Sequence, residues 1–369
     1  MKLKRHGILA GLALTATLAL AACGSDNGGS SPQTGGSSGT AKFDCASGKL
    51  TAQGSSAQLN AVDQWTKAYQ QQCTGATIEY TGSGSGAGIT AFLNGTADFA
   101  GSDSALKDGD EQKKANDRCK TGNALDLPMV TGPIAVAYNL EGVKDVQLKP
   151  ATIAKIFAGT VKTWDAADIK ADNPGATLPS TPILAVHRSD SSGTTDNFTK
   201  FLAATAKTDW TFGNDKVWKA PGGQAEKGSD GVSSALKKST GSIGYVEWSF
   251  AQTNSLSMAK VGNGAGEFAT LTGESAGKTV AGASVTGSGN DLKLKIDYNT
   301  KEAGAYPIVL VTYEIVCEKG APADKLPLLK SFLKYTISTT GQSSLTNIGY
   351  APLPDSLRSK VEAAVNSLA

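Results

Sequence analysis

Apolar and polar positions alternate in one repeated unit along much of this chain: a short apolar run, a turn of small residues, then an amphipathic helix. Lys49–Ala52 reads as a strand and Gln53-Gly54-Ser55-Ser56-Ala57 as the turn after it, and Leu59, Val62, Trp65 and Tyr69 then share a helical face. Thr77–Tyr80 is a second strand, followed by Gly82-Ser83-Gly84-Ser85-Gly86-Ala87-Gly88 and a helix carrying Ile89, Phe92 and Leu93. Ala97–Ala100 is a third, ending in Gly101-Ser102-Asp103-Ser104. Ile183–Val186 opens another unit, whose turn runs from His187 to Thr194 and whose helix over Thr195–Thr205 places Phe198, Phe201 and Leu202 together. Such units predict an α/β fold with a mostly parallel sheet and ligands outside the strand carboxyl ends.

Two longer apolar runs, Leu127–Tyr138 and Tyr306–Cys317, are rich in β-branched residues and are expected to pair. Between them lie the strands Ile183–Val186 and Ile243–Val246 and a turn at Gly228-Ser229-Asp230-Gly231. Leu328, Leu329, Phe332 and Leu333 mark a helix near the C-terminus. The pattern predicts two α/β lobes with mixed sheets joined by a hinge, residues 42–133 with 263–369 as lobe I and 134–262 inserted as lobe II. The Gly/Thr/Ala-rich stretch 262–290 carries no readable period.

The first 22 residues stand apart. Lys2, Lys4 and Arg5 precede an apolar run, Gly7–Ala22, too short for a comfortable membrane span, so 1–22 reads as a signal peptide. It ends in Leu20-Ala21-Ala22-Cys23, the pattern of a lipobox in which Cys23 becomes the acylated N-terminus; cleavage at an A-x-A site without lipidation is the alternative. Residues 24–40 hold six Gly and five Ser, so 23–41 is a lipidated cysteine and flexible tether. Removing the leader leaves 32 basic against 33 acidic groups, and no basic cluster with interleaved aromatics suggests a nucleic-acid partner. Four more cysteines remain, an even number that fits disulfides better than a metal site. Of three possible pairings, Cys45–Cys73 and Cys119–Cys317 are expected. Cys45 precedes the first strand and Cys73 ends the helix returning beside it, while Cys119 and Cys317 flank the two long apolar runs.

Candidate chemistry concentrates in His187-Arg188-Ser189-Asp190-Ser191-Ser192-Gly193-Thr194. Ser191 or Ser192 is placed to cap the helix that follows, so backbone N–H groups, hydroxyls and one guanidinium meet at its positive end, a corner suited to a tetrahedral oxyanion. Each small-residue turn alone is as well explained by ordinary capping. One ligand ringed by four of them explains all at once. A hydrolase would use the same donors, but His187 is the sole histidine after the leader and lies beside Arg188, which depresses its basicity. No strand leads into a G-x-S-x-G elbow, and Gly273-Glu274-Ser275-Ala276-Gly277-Lys278-Thr279 is one residue short of a P-loop. The expectation is a binding protein rather than an enzyme, with no cofactor and no metal.

Several stretches match a known family. Leu50-Thr51-x-x-Gly54-Ser55-Ser56, Gly84-Ser85-x-x-Gly88, Ala97-Asp98-Phe99-x-Gly101-Ser102-Asp103 and Gly159-x-x-Lys162-Thr163-Trp164-Asp165 are among its landmarks. So are Arg188-Ser189-Asp190-x-Ser192-Gly193-Thr194, Gly244-Tyr245-Val246-Glu247 and Tyr350-Ala351-Pro352-Leu353-Pro354. Over most of residues 48–360 the chain resembles the phosphate-binding lipoproteins of bacterial phosphate-specific ABC transporters. The resemblance implies a periplasmic-binding-protein fold whose lobes close over one phosphate in the interlobe cleft, in a monomer that delivers it to the permease from the outer face of the membrane. It also implies phosphate contacts at Ser56, the Ala57 backbone, Ser85, Asp103, Arg188, Ser192, Gly193 and Thr194. Where the family often has Thr and an aromatic, this chain has Ser56 and Ala57. Asp190 is expected to steady the Arg188 guanidinium. Asp103 is expected to accept the proton of a protonated phosphate, which sulfate lacks; its alternative role is to cap the next helix.

Overall fold

The computed structural model describes residues 44–369; the leader, Cys23 and the tether lie outside the described residues. Nine strands form the main sheet: β1 (Gly48–Gly54), β2 (Ala76–Thr81), β3 (Phe99–Ser102), β4 (Ala124–Tyr138), β5 (Leu184–Arg188), β6 (Gln224–Glu226), β7 (Ser242–Glu247), β8 (Ser257–Met258) and β9 (Val309–Cys317). They run in the order β2-β1-β3-β9-β4-β7-β5-β6, with β8 also on β4. The helices that matter here are α1 (Leu59–Gln72), α2 (Ser85–Leu93), α3 (Asp110–Cys119), α4 (Gly193–Thr205), α5 (Gly228–Lys238), α6 (Leu326–Ile337) and α7 (Asp355–Ser367).

The sheet is mixed, as expected for the two lobes, although the strand–helix units taken alone suggested a mostly parallel one. β1 pairs parallel with β2 and β3, and β5 with β6 and β7, as the strand–helix units require. The two long apolar runs were the part the unit pattern did not govern: β4 and β9 lie antiparallel to each other at the centre and antiparallel to β3, β7 and β8. All 15 residues of β4 and all 9 of β9 are buried, which explains their unbroken apolar character. Pro128 has no N–H for the ladder, and the β4–β9 register shifts there, between Thr312 and Tyr313. β4 pairs with β9 through Pro133 and with β7 from Ile134, so one strand serves both halves of the sheet.

Two cores flank this junction. One gathers Leu50, Val62, Trp65, Tyr69, Phe99 and Leu127 under α6 and α7, with Tyr69 edge-on to Phe332 at 5.5 Å. The other surrounds Ile134–Tyr138 with Phe157, Trp164, Phe198, Phe201 and Tyr245. Cys45 is bonded to Cys73 and Cys119 to Cys317, the pairing expected from the sequence. The unreadable stretch 262–290 consists of two- and three-residue strands around a helix, Gly273–Ala281. Thr272 and Ser275 form a capping box at its start, so the near-miss P-loop is an ordinary capped helix.

Candidate oxyanion-binding site

The turns picked out by their small residues all stand at the carboxyl ends of strands, where the following helices point their N-termini. Ser55, Ser56 and Ala57 follow β1 and lead into α1; Ser85 is the first residue of α2; Asp103 follows β3; Arg188 ends β5, and Ser192 caps α4 by accepting from the Thr195 N–H at 3.2 Å. Backbone N–H groups at such ends carry partial positive charge. Ser56, Ala57, Ser85, Asp103, Arg188, Ser192, Gly193 and Thr194 are all buried.

Hydrogen bonds join these residues into one network that crosses between the halves of the sheet. Ser85 Oγ accepts from the Gly193 N–H at 3.1 Å and from the Asp103 N–H at 3.2 Å. Thr194 Oγ1 donates to Asp103 Oδ2 at 3.2 Å, and Asn197 donates to the Asp103 carbonyl at 2.7 Å. The approach is close enough to demand glycine: a Cβ on Gly193 would lie 2.6 Å from the Asp103 Cβ. Gly84, at φ +97°, is a second such position, because a Cβ there would stand 2.3 Å from Asp190 Oδ2.

Arg188 is 2% exposed and is gripped by Asp190, through Nε to Oδ1 at 2.7 Å and Nη2 to Oδ2 at 2.5 Å. A guanidinium carries five N–H donors, so this fork leaves the others to serve an anion. Burial works to raise the Asp190 pKa, but the hydrogen bonds and charge of Arg188 and the Gly228 N–H outweigh it and hold the carboxyl below its ordinary value. Asp103 behaves in the opposite way. Burial raises its pKa, only partly countered by hydrogen bonds from Ser55 and Thr312, the Arg188 charge and Thr194. Asp103 is not the cap of the next helix, since α3 begins at Asp110 behind Gly109 with no side-chain cap.

Four residues of this network were not among the expected ligand contacts. Ser55 donates to Asp103 Oδ1 and accepts from the Ala57 N–H at 3.1 Å; Thr312, on β9, donates to the same Oδ1 at 2.8 Å. Ser229, at the start of α5, donates its N–H to Ser56 Oγ at 3.1 Å. Tyr245 OH accepts from the Arg188 N–H at 3.1 Å. The Gly228-Ser229 turn was visible as a turn, and its place at a helix start was the signal available; Thr312 inside Val-Leu-Val-Thr-Tyr looks only like a strand former. The described residues hold no cluster of His, Cys, Asp and Glu that could bind a metal ion.

The arrangement provides one guanidinium, several hydroxyls and the N-termini of α1, α2, α4 and α5 around one corner, with one carboxylate opposed to them. It can hold an anion and can discriminate by whether that anion carries a proton. Residues 39–340 match the family described as the PBP superfamily domain. The chain is 44% identical over 375 residues to the phosphate-binding protein PstS 3 of Mycobacterium tuberculosis, covering 100% of both chains. It is 32% identical over 318 residues to the phosphate-binding protein PstS of Xylella fastidiosa, covering 85% of this chain and 84% of that one. Among solved structures it is similar to a high affinity periplasmic phosphate-binding protein bound with phosphate, at TM-score 0.69 and 22% identity, over 86% of this chain and 93% of the other. A phosphate-binding protein from Stenotrophomonas maltophilia matches at TM-score 0.65 and 19% identity, over 86% and 93%.

Proposed function

The chain belongs to the PBP superfamily and, within it, to the PstS phosphate-binding proteins, and from that premise we propose that it binds inorganic phosphate and delivers it to an ABC permease for import. The observation that carries this reading is the convergence of Arg188, the α1, α2 and α4 turns and a buried Asp103 on one corner. Each oxygen of a desolvated phosphate needs donors, and an unmet one costs about 1–3 kcal/mol. Ser56, Ser85, Ser192 and Thr194 supply hydroxyls, the Ala57 and Gly193 turns supply N–H groups, and Arg188 supplies charge-assisted pairs. Several of these groups already have internal partners, among them the Ala57 N–H on Ser55, the Gly193 N–H on Ser85 and the Thr194 hydroxyl on Asp103, so ligand binding exchanges some internal hydrogen bonds for bonds to the anion. Asp103, as acceptor, meets the phosphate O–H; sulfate at the same place faces an unrelieved like charge.

Residues 42–133 with 263–369 act as one lobe and 134–262 as the other, with β4 passing between them, and phosphate favours closure by contacting both. The protein works outside the cytoplasm, held to the membrane through acylated Cys23 and the tether 24–40, and turns over no substrate. No helix among the described residues is long and apolar enough to cross a membrane. Calorimetry of the mature chain should give one phosphate bound per chain and no detectable sulfate binding at matched concentration. Release of product from a phosphate monoester, or equal binding of the two anions, overturns the reading.

A further inference from the structure

Asp103 is held from two sides that are not equivalent. A carboxylate offers about four acceptor positions on its two oxygens. At Oδ1, two hydroxyls donate from the same half of the molecule, Ser55 at the end of β1 and Thr312 within β9. At Oδ2, the donor comes from across the junction, Thr194 on α4. Oδ2 is therefore the oxygen with acceptor capacity to spare. Ser55 and Thr312 are 1% and 0% exposed, so water does not substitute for either. The Ser55 oxygen is also the acceptor for the Ala57 N–H, which ties the carboxylate to the β1 turn.

We propose that Ser55 and Thr312 are positioning residues for anion selectivity: by occupying Oδ1 they keep Asp103 an acceptor and present Oδ2 alone to the ligand O–H. The inference rests on the phosphate reading above. Loss of either hydroxyl removes a bond made to the charged form and favours a protonated Asp103. A protonated Asp103 donates instead of accepting, and it no longer repels an anion without a proton. Arg188 faces Asp103 as the charge that favours ionisation. The buried acids Glu247 and Glu314 and the phenols Tyr80 and Tyr350 also feel Asp103, and burial raises all four. Glu314 is raised to about 8, so between pH 4 and 7 it adds no charge to the corner.

Thr312→Val keeps the shape of the side chain and removes its donor, whereas Thr312→Ser keeps the donor. In ligand-free protein, carbon-13 NMR of labelled aspartate carboxyls, assigned by comparison with Asp103→Asn, reads the titration midpoint directly. Thr312→Val should raise that midpoint by about one pH unit, and Thr312→Ser should return it to the wild-type value. At a pH less than one unit above the higher of the two measured midpoints, the phosphate-over-sulfate ratio should fall in the Val variant and recover in the Ser variant. A midpoint unmoved in Thr312→Val, or moved equally in Thr312→Ser, overturns the proposal. Ser55→Ala supplies the same two readouts if Thr312→Val fails to fold. Absence of phosphate binding by the wild type would defeat the functional reading and would leave the midpoint test standing, so the two failures are distinguishable.

Discussion

The two halves of the sheet each bring one aspartate to the same corner, a buried Asp103 and a half-buried Asp190, and prepare them in opposite ways. In the half containing β4–β7, Asp190 lies against a guanidinium and a backbone N–H and is held below its ordinary pKa. In the half containing β1–β3 and β9, Asp103 has only hydroxyls in direct contact, and burial lifts it. The difference is between a full charge and neutral donors as partners: hydroxyls can orient a buried carboxylate but do not repay its desolvation. Asp190 is thereby committed to Arg188. Asp103 is left with a raised pKa and with one oxygen, Oδ2, that has acceptor capacity to spare.

The sharpest way to break the comparison is to neutralise Asp103. Asp103→Asn keeps the size and one acceptor while removing the repulsion. Discrimination against sulfate should collapse by about 10⁴-fold, as expected when a buried polar group loses its matching partner. Competition titrations with phosphate and sulfate measure this, and a variant that still excludes sulfate like the wild type would remove Asp103 from selectivity.

On the other side, Arg188→Ala should weaken phosphate binding on the order of 100-fold, because it removes the charge-assisted donors. Ser56→Ala should cost only about fivefold, since a neutral hydroxyl contributes about 1 kcal/mol. Equal losses in titrations of the two variants would mean that Arg188 does not touch the ligand.

A smaller effect concerns stability. Burial raises Glu314 from its ordinary 4.5 to about 8, whereas the same group in the unfolded chain releases its proton near that ordinary value. Between those pH values the native state binds more protons than the unfolded one, so this group's contribution falls as pH rises through the window. Asp126 acts in the same direction, raised by burial and by Asp291 nearby. The depressed group Asp190 acts only in acid, below its ordinary value of 3.8. Glu314→Gln should flatten the decline between pH 5 and 8 in urea unfolding, and an identical slope would show that the carboxyl is not held protonated. The smallest expected change is in radius of gyration, which small-angle scattering should find slightly lower with phosphate than without; an unchanged profile at saturation would mean a rigid cleft.

The strand–turn–helix units were legible because each left two signals, an apolar run and a cluster of small polar residues. Those signals located Ser56, Ser85, Asp103 and Arg188 in the turns that follow strands and left Ser191 or Ser192 as a cap, of which the structure uses Ser192. The antiparallel centre was less legible: a strand buried on both faces shows no alternation, so β4 and β9 declared their burial but not their direction. Residues 262–290 resisted because strands as short as Phe268–Ala269 carry no period at all. Ser55 and Thr312 were hidden for another reason. Their role depends on which oxygen of a distant aspartate they meet, 48 and 209 residues away in sequence, and no local pattern encodes that.

The central position of β9 has a consequence for how the chain is made. β9 fills the gap between β3 and β4, yet among the strands of the main sheet it is the last to leave the ribosome. Until then the nascent chain carries β3 and β4 with facing edges unpartnered, the kind of edge that recruits foreign strands. Cys73 follows Cys45 by 28 residues, but Cys119 waits 198 residues for Cys317. Insertion of β9 therefore joins the halves of the sheet, brings Thr312 to Asp103 and presents the second disulfide for closure in one late event. A chain stopped short of residue 309 would have every turn of the candidate site and lack the strand that joins β3 to β4.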